Sequence, residues 1–192
     1  MRSTLLSGGV LLIGPEVGGT PVVPLPVASA QFVRGLSDHL DLRVHYDTVA
    51  LVAHRVGLEL RLTVARRGGW SFALGVEPSA LFFALPYQGA FIGGDLSTEV
   101  TAMVTRRWTS AALTLLVGPT VQWAMYGQGG GKMLIDTRPS FAYLDVGARL
   151  EWNRGPGATM MLGLDLCVPL GDDPLRFMGV LPRATIGWSW SR

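Results

Sequence analysis

Residues 55–64 read RVGLELRLTV, and this stretch decides the fold. Valine or leucine occupies every second position from Val56 to Val64, and polar residues or glycine stand between them. Side chains of a β-strand point alternately to its two faces, whereas a helix repeats its apolar residues at every third and fourth position. The stretch therefore predicts a strand with one apolar face and one polar face.

The same alternation recurs along most of the chain. It is found in residues 40–53, 70–79, 95–104, 111–126, 143–152, 159–168 and 180–190. Residues 5–13 and 22–34 are rich in glycine and proline and alternate poorly, but we interpret them as strands too. The pattern predicts an all-β, antiparallel, up-and-down structure of about ten strands, with eight as the next choice.

The predicted connections alternate between short and long. Short ones occupy residues 35–39, 66–69, 106–110 and 153–157, and longer ones occupy 15–21, 85–91, 126–140 and 171–177, with a poorly marked connection near 47–55. The glycine tract at 127–131 indicates a loop. Pro119, Pro169 and Pro182 fall inside strands, where each removes a ladder hydrogen bond, so we expect a bulge or a strand end there.

The composition is more apolar than that of a soluble domain. Of 192 residues, 48% are hydrophobic and 16% are charged, and the mean hydropathy is +0.34. A helical span needs about 20 consecutive apolar residues. The uncharged run 108–131 is broken by Gly118 and Pro119, and the run 17–33 contains three prolines. Membrane-level hydropathy without helical spans favours a transmembrane β-barrel.

Other classes are excluded or disfavoured by simple counts. A net charge of +2 does not indicate a nucleic-acid-binding surface. Cys167 is the single cysteine, so an intrachain disulfide and multi-thiolate metal sites are impossible. Arg2 followed by residues 5–13 resembles a short signal peptide, with 28–30 as a cleavage site. Glu16 and the prolines between them argue against it, so we expect a strand in a chain whose leader has been removed.

The apolar or charged character of the two strand faces predicts which face points inward. With the apolar faces toward lipid, the barrel interior, or lumen, collects charges of both signs that pair across strands. The predicted lumenal charge network is Asp41, Arg43, His45, Asp47, Arg55, Glu59, Arg61, Glu77, Asp95, Glu99, Asp145, Arg149, Glu151, Asp165 and Arg183. The alternative is a soluble, lipocalin-like ligand-binding barrel with the apolar faces inside, whose exterior would be sparse in charge.

Tryptophans support the membrane interpretation. All six fall near predicted strand ends, where an indole can place its ring in lipid and its N–H in water. The predicted membrane-interface aromatics are Trp70, Trp108, Trp123, Trp152, Trp188 and Trp190.

In its alternating strands, tight turns, glycine-rich lumenal positions and aromatic last strand, the chain resembles the small outer-membrane β-barrel proteins of Gram-negative bacteria. The resemblance is one of pattern, and Ser191 and Arg192 after Trp190 depart from the usual aromatic terminus. It implies a single transmembrane barrel over residues 1–192 in the cell outer membrane. The implied partners are outer-membrane lipid and the barrel insertion machinery, and the oligomeric state stays open.

Few residues indicate chemistry. His39 is predicted in a turn, His54 near the opposite rim, and His45 in the lumen. An outer-membrane hydrolase using His45 with Asp41 or Asp47 is the enzymatic alternative. Cys167 is interpreted as a small lumenal residue, and Asp172 and Asp173 as a solvated loop. We therefore predict no enzymatic activity, catalytic residue, metal or cofactor, and a structural or small-solute role for a barrel with a largely plugged lumen rather than a wide porin.

Overall fold

The computed structural model describes residues 2–13, 23–85, 91–129, 131–155, 157–170 and 181–191. Eleven β-strands account for most of these residues: β1 (Arg2–Ile13), β2 (Val23–Gly35), β3 (Leu40–Val49), β4 (Ala53–Arg67), β5 (Trp70–Leu85), β6 (Phe91–Arg107), β7 (Ala111–Gly129), β8 (Lys132–Asp136), β9 (Ser140–Gly155), β10 (Ala158–Pro169) and β11 (Leu181–Ser191). Within the described ranges, no helical segment reaches the length and hydropathy that a membrane span requires. The two poorly alternating strands predicted at 5–13 and 22–34 are confirmed as β1 and β2.

Ten of the strands close into an antiparallel barrel. Strands β1 to β7 pair in sequence order, β7 pairs with β9, and β9, β10 and β11 follow in turn. Strand β11 returns to β1, with Trp188 opposite Leu6, and this pairing closes the ring. Closure pairs both edges of the sheet, as a β-structure requires within lipid. The predicted ten-strand, all-β barrel is confirmed.

The two rims of the barrel differ in their connections. One rim, hereafter the short-turn rim, carries the first residue of β1, the last of β11, the turns at 36–39, 68–69 and 108–110, and the connection between β9 and β10. Gly68 and Gly69 have φ of 56° and 82°, which is the geometry of a two-residue hairpin that follows the strand twist. The predicted loops at 15–21 and 171–177 lie mainly or wholly outside the described residues.

The poorly marked connection predicted near 47–55 is found at residues 50–52, so the alternating segment 40–53 is divided between two strands. Strand β3 ends at Val49, and residues 50–52 form a tight turn in which Ala50 and Leu51 have φ of 49° and 60°. Non-glycine residues rarely adopt this left-handed conformation. The turn was therefore hard to recognise, because it lacks the glycine or asparagine that normally marks it.

The predicted loop at the glycine tract is also wrong in part. Gly127 and Gly129 belong to β7, which extends beyond β9 and pairs there with the short strand β8. Residues 137–139 then lead into β9, which continues the pairing with β7 from Ser140 onward. The described residues of the tract thus lie at the end of the β7–β8 hairpin, which extends past β9 on the rim opposite the short turns.

Prolines and bulges adjust the register. Pro119 lies next to a register shift at Thr120 and Val121, and Pro169 is the last residue of β10. Pro182 is the second residue of β11, so all three prolines stand at the predicted kinds of position. A further shift at Leu96 and Ser97 places Met125 opposite Asp95, on the inner side. Met125 therefore leaves the outward face that its spacing from Trp123 predicted.

The apolar faces of the strands point away from the lumen. In β4, Val56, Leu58, Leu60 and Leu62 are each 44–48% exposed, while Glu59 between them is 7% exposed. The same division holds on β5, β6, β7, β10 and β11. A lipocalin-like barrel would bury these side chains inside, so the outer wall contradicts the soluble alternative. The small buried apolar set, which includes Met103, Leu116 and Met161, lies among the polar side chains of the interior.

Candidate functional site

The candidate site is the inner wall of the barrel, where period-two alternation turns charged side chains toward one another. A cavity of about 120 Å³ lies there. It is lined from both sides of the ring, by strands β2 to β6 and by strands β7, β9, β10, β11 and β1. Ten of the predicted lumenal residues line it: His45, Asp47, Arg55, Glu59, Arg61, Glu77, Glu99, Arg149, Asp165 and Arg183.

Arg55 on β4 is the centre of the largest cluster of ion pairs. Its Nη2 lies 2.9 Å from Glu77 Oε1 on β5 and 3.6 Å from Glu99 Oε2 on β6. Glu77 and Glu99 are directly opposite each other in the β5–β6 ladder. Like charges in such positions repel, so the guanidinium between them compensates both carboxylates. Arg55 Nε also donates to Ser79 Oγ at 3.2 Å.

His45 on β3 extends this cluster. Its Nε2 lies 3.5 Å from Asp47 Oδ2, and its Nδ1 lies 3.3 Å from Glu77 Oε2. Both ring nitrogens thus lie within 3.5 Å of a carboxylate oxygen. The Nδ1–Cε1–Nε2 edge of the ring lies next to Gly57 on the neighbouring strand, where a Cβ would collide with His45 Cε1. The glycine is needed because His45 occupies the space of its side chain.

A second cluster lies nearer the short-turn rim. Arg61 donates to both oxygens of Glu59, from Nε at 3.0 Å and from Nη2 at 3.2 Å. Such bidentate pairing fixes the guanidinium in the carboxylate plane. Arg43 Nε on β3 lies 3.7 Å from Glu59 Oε2, so Glu59 is shared by two arginines. Gly75 on β5 leaves the space that Glu59 occupies, since a Cβ there would stand 2.6 Å from Oε1.

The far side of the wall has its own pair. Arg183 on β11 donates from Nη2 at 2.9 Å and from Nε at 3.2 Å to Asp165 Oδ2 on β10. Asp165 lies over Gly147 of β9 in the same way that His45 lies over Gly57. Asp145 on β9 accepts a 3.2 Å hydrogen bond from Thr120 Oγ1. Cys167 is half-buried opposite Asp145 and carries a free thiol.

The remaining predicted charges lie around these clusters. Asp41 is directly opposite Arg61 in the β3–β4 ladder, and Arg149 lines the central cavity. Glu151 lines a second cavity of about 320 Å³ at the short-turn rim, together with Arg107 and Trp108. Asp95 is half-buried on β6, toward the opposite rim.

Polar and apolar residues that the sequence analysis did not single out also line the cavity. Thr101 Oγ1 donates a 2.8 Å hydrogen bond to Glu99 Oε1. Met103, Leu116 and Met161 fill the wall between the charges. Their position in the alternation could have identified them, because each is adjacent in sequence to an apolar residue that points outward.

Among the described residues, there is no group of three or more His, Cys, Asp or Glu side chains that could hold a metal ion. His39 lies in the turn 36–39, and His54 Nδ1 hydrogen-bonds to Tyr46 Oη at 2.7 Å. Asp172 and Asp173 lie outside the described residues.

On the rim opposite the short turns, Arg138 donates hydrogen bonds to Asp136 at the end of β8. These bonds lower the pKa of the Asp136 carboxyl to about 2.

The tryptophans form two levels on the barrel. Trp70, Trp108, Trp152, Trp188 and Trp190 lie near the short-turn rim, and all but the half-buried Trp152 are 45–51% exposed. Trp123 lies toward the other end of β7, where its Nε1 donates to Thr98 Oγ1 at 2.8 Å. Indoles at both ends of an apolar wall are typical of the two interfaces of a membrane.

Comparison with known proteins supports the same class. No protein-family model matches the chain, and no curated protein sequence does. Among solved structures, the outer-membrane protease OmpT of Escherichia coli has a TM-score of 0.62 at 7% identity, covering 100% of this chain and 96% of its own. The NanC porin has a TM-score of 0.54 at 11% identity, covering 98% and 100%. The attachment invasion locus protein Ail of Yersinia pestis, in complex with a heparin analogue, has 0.50 at 12%, covering 98% and 96%.

The fold, the outward apolar wall and these similarities define the class: this is a β-barrel of the small outer-membrane type. The predicted resemblance to such proteins of Gram-negative bacteria is confirmed. At 7–12% identity the likeness concerns the fold alone, and a protease, a porin and an attachment protein share it. The activity of this chain must therefore be argued from its own inner wall.

Proposed function

We propose that the protein is a non-enzymatic outer-membrane barrel whose charged inner wall largely fills the lumen, with a structural or small-solute role. The observation that carries this proposal is the layer of ion pairs centred on Arg55, Glu59 and Asp165. Asp165 on β10 lies across the interior from Arg55 and Glu59 on β4, and a cavity of about 120 Å³ lies between them. A space of this size holds a few waters, whereas the wide aqueous channel of general porins needs 16–18 strands.

The net charge of the inner wall determines which solutes it favours. Carboxylates outnumber arginines among the lumenal residues, and Glu77, Glu99 and Asp47 gather around the single guanidinium of Arg55. A wall of this sign attracts cations and repels anions. Any residual passage of ions is therefore expected to favour small cations.

Two features of His45 support a structural rather than a hydrolytic role. Both ring nitrogens face carboxylates, so neither is directed at a hydroxyl or thiol that it would activate. The ring also occupies the space beside Gly57 that a side chain there would fill, inside the ion-pair layer. We therefore favour the non-enzymatic proposal over a hydrolase built on His45 and Asp47.

The proposed environment follows from the outer wall. Its exposed leucines, valines and phenylalanines suit the hydrocarbon of the outer membrane. The barrel would reach it through the barrel insertion machinery, and outer-membrane lipid would surround it. Detergent dependence together with heat-modifiable gel migration tests this environment separately from any conductance.

Planar-bilayer recording tests the plugged lumen. We expect the purified wild-type barrel to show no large steady conductance, while Arg55→Ala combined with Glu77→Ala and Glu99→Ala opens a small, cation-selective one. Leu60→Ala, on the lipid face of the same strand as Arg55, is the matched control and should leave the trace unchanged. A large steady conductance of the wild type would refute the plugged lumen.

A further inference from the structure

The distribution of basic residues between the two rims is uneven. At the short-turn rim the described residues include six arginines, Arg34, Arg66, Arg67, Arg106, Arg107 and Arg154, and three acids, Asp38 in a turn and Asp41 and Glu151 on the inner side. Beyond the ring on the other side, the described β8 hairpin carries Lys132 and Arg138 together with Asp136. The net charge of +2 for the whole chain conceals this local excess.

Four of these arginines lie on the outer surface and form what we call the basic girdle: Arg34, Arg67, Arg106 and Arg154. Arg67 is directly opposite Trp70, and Trp70 is directly opposite Arg106, so the three form one outward row across β4, β5 and β6. Arg154 lies two residues beyond Trp152 on β9, and Arg34 two residues beyond Phe32 on β2. The basic girdle therefore stands at the level of the rim aromatics or just outside it.

Two of the four guanidinium groups, those of Arg106 and Arg154, are oriented by contacts. Arg106 Cζ lies 5.2 Å from the centroid of the Trp70 ring, and its Nη1 donates to Gly68 O. Arg154 Cζ lies 5.9 Å from the centroid of the Trp152 ring. Such cation–π contacts restrain the arginine while its remaining N–H donors stay available. Within the described structure, one of the five donors of Arg106 is used in a hydrogen bond.

The position of the basic girdle defines the chemistry of its partner. Tryptophan indoles settle where hydrocarbon meets headgroups, so guanidiniums at this level stand in the layer of lipid phosphates. Arginine binds phosphate with two parallel N–H···O bonds, and each basic side chain near an anionic surface adds to the attraction. We propose that the basic girdle binds the phosphates of anionic phospholipid headgroups in the leaflet at the short-turn rim. In barrels with short turns on one side, that rim faces the periplasm.

The test uses the folded barrel in vesicles and does not depend on its conductance. The probe is phosphatidylglycerol with brominated acyl chains, mixed into phosphatidylcholine, and the readout is quenching of tryptophan fluorescence. The protein used keeps Trp70 and Trp152, which contact arginines of the basic girdle, and has the other four tryptophans replaced by Phe, so quenching reports lipid bound there. At low salt we expect brominated phosphatidylglycerol to be preferred several-fold over brominated phosphatidylcholine, with the preference falling as salt screens the charges.

Substitutions distinguish binding by the basic girdle from a general attraction of the protein to anionic lipid. Replacing Arg34, Arg67, Arg106 and Arg154 together by Gln should abolish the preference. Lys132→Gln with Arg138→Gln, at the other rim, is the matched control and should retain it. If the fourfold variant does not fold, as judged by heat-modifiable migration, Arg106→Gln and Arg106→Lys replace it, with loss of preference expected for the first and partial retention for the second. Equal quenching by both lipids in the wild type, or a preference that survives the girdle substitutions, would overturn the proposal.

Discussion

Replacing Arg55 by methionine removes the central cation of the inner wall. The substitution breaks a 2.9 Å ion pair with Glu77 and a 3.2 Å hydrogen bond to Ser79, and it leaves Glu77 and Glu99 opposite each other without the charge between them. Removing one partner of a buried pair costs about 3–5 kcal/mol. Because 29% of the Arg55 side chain is accessible, water recovers part of this loss, and we expect a destabilisation of about 2–3 kcal/mol.

Urea unfolding of the barrel in vesicles, followed by tryptophan fluorescence, measures this effect. At about 1.4 kcal/mol per tenfold change, the folding equilibrium should fall by a factor of roughly 30 to 150. The chain offers a matched control, because Arg138 Nη2 lies at the same 2.9 Å distance from Asp136 Oδ2 but its side chain is 88% exposed. Arg138→Met should leave the midpoint unchanged, since exposed pairs contribute little.

A double-mutant cycle separates the pair from its surroundings. Glu77→Gln in the Arg55→Met background should restore part of the stability, because it removes one of the two uncompensated carboxylates. Equal effects of Arg55→Met and Arg138→Met would refute the reasoning, since burial is the difference on which the expected ranking rests.

Three further substitutions test the space beside Gly57, the outward orientation of Leu60 and the pKa of the exposed Asp136 carboxylate. Gly57→Ala should displace the His45 ring and destabilise the barrel by about 1–3 kcal/mol. Gly8→Ala is the control and should be tolerated, because a Cβ there would meet only Val27 O at 3.8 Å. The midpoints of urea unfolding compare the two variants, and equal midpoints would contradict the packing argument. Leu60→Arg on the outer wall should cost about 2–4 kcal/mol of folding into vesicles, with Leu60→Ile as control, and an unaffected arginine variant would contradict a lipid-facing position. Asp136, whose pKa is lowered from 3.8 to about 2, should stay ionised at pH 3 and lose its pairing only as the pH falls through about 2. Arg138→Met should return the titration, followed by NMR, toward 3.8, and an unchanged pKa would show that Arg138 is not its cause.

The strands were readable from the chain because their signal is local. In residues 55–64 each side chain reports its own face, and lipid outside with charge inside makes the two faces chemically opposite. The same contrast allowed the inward side of Arg55, Glu59 and Glu77 to be predicted without any knowledge of their neighbours. Where the contrast is weak, boundaries were predicted poorly: the turn at 50–52 was located only to within 47–55, and the tract at 127–131 was assigned to a loop although most of it belongs to β7.

Bulges and closure depended on contacts distant in sequence. The register shift opposite Trp123 moves Met125 to the inner face, and a one-residue change of register exchanges the two faces of a strand. Strand β1 is nearly the whole chain length from β11, so their pairing is invisible to any local pattern.

The sequence by itself therefore determined a membrane barrel of about ten strands and the identity of its charged face. Only the tertiary structure decided which charges pair: that Arg55 lies between Glu77 and Glu99, that Glu59 is shared by Arg61 and Arg43, and that Gly57 and Gly147 make room for His45 and Asp165. The physical reason is that alternation depends on one residue and its neighbours in the chain, whereas an ion pair depends on the register between strands and on the space left by the strand beside it.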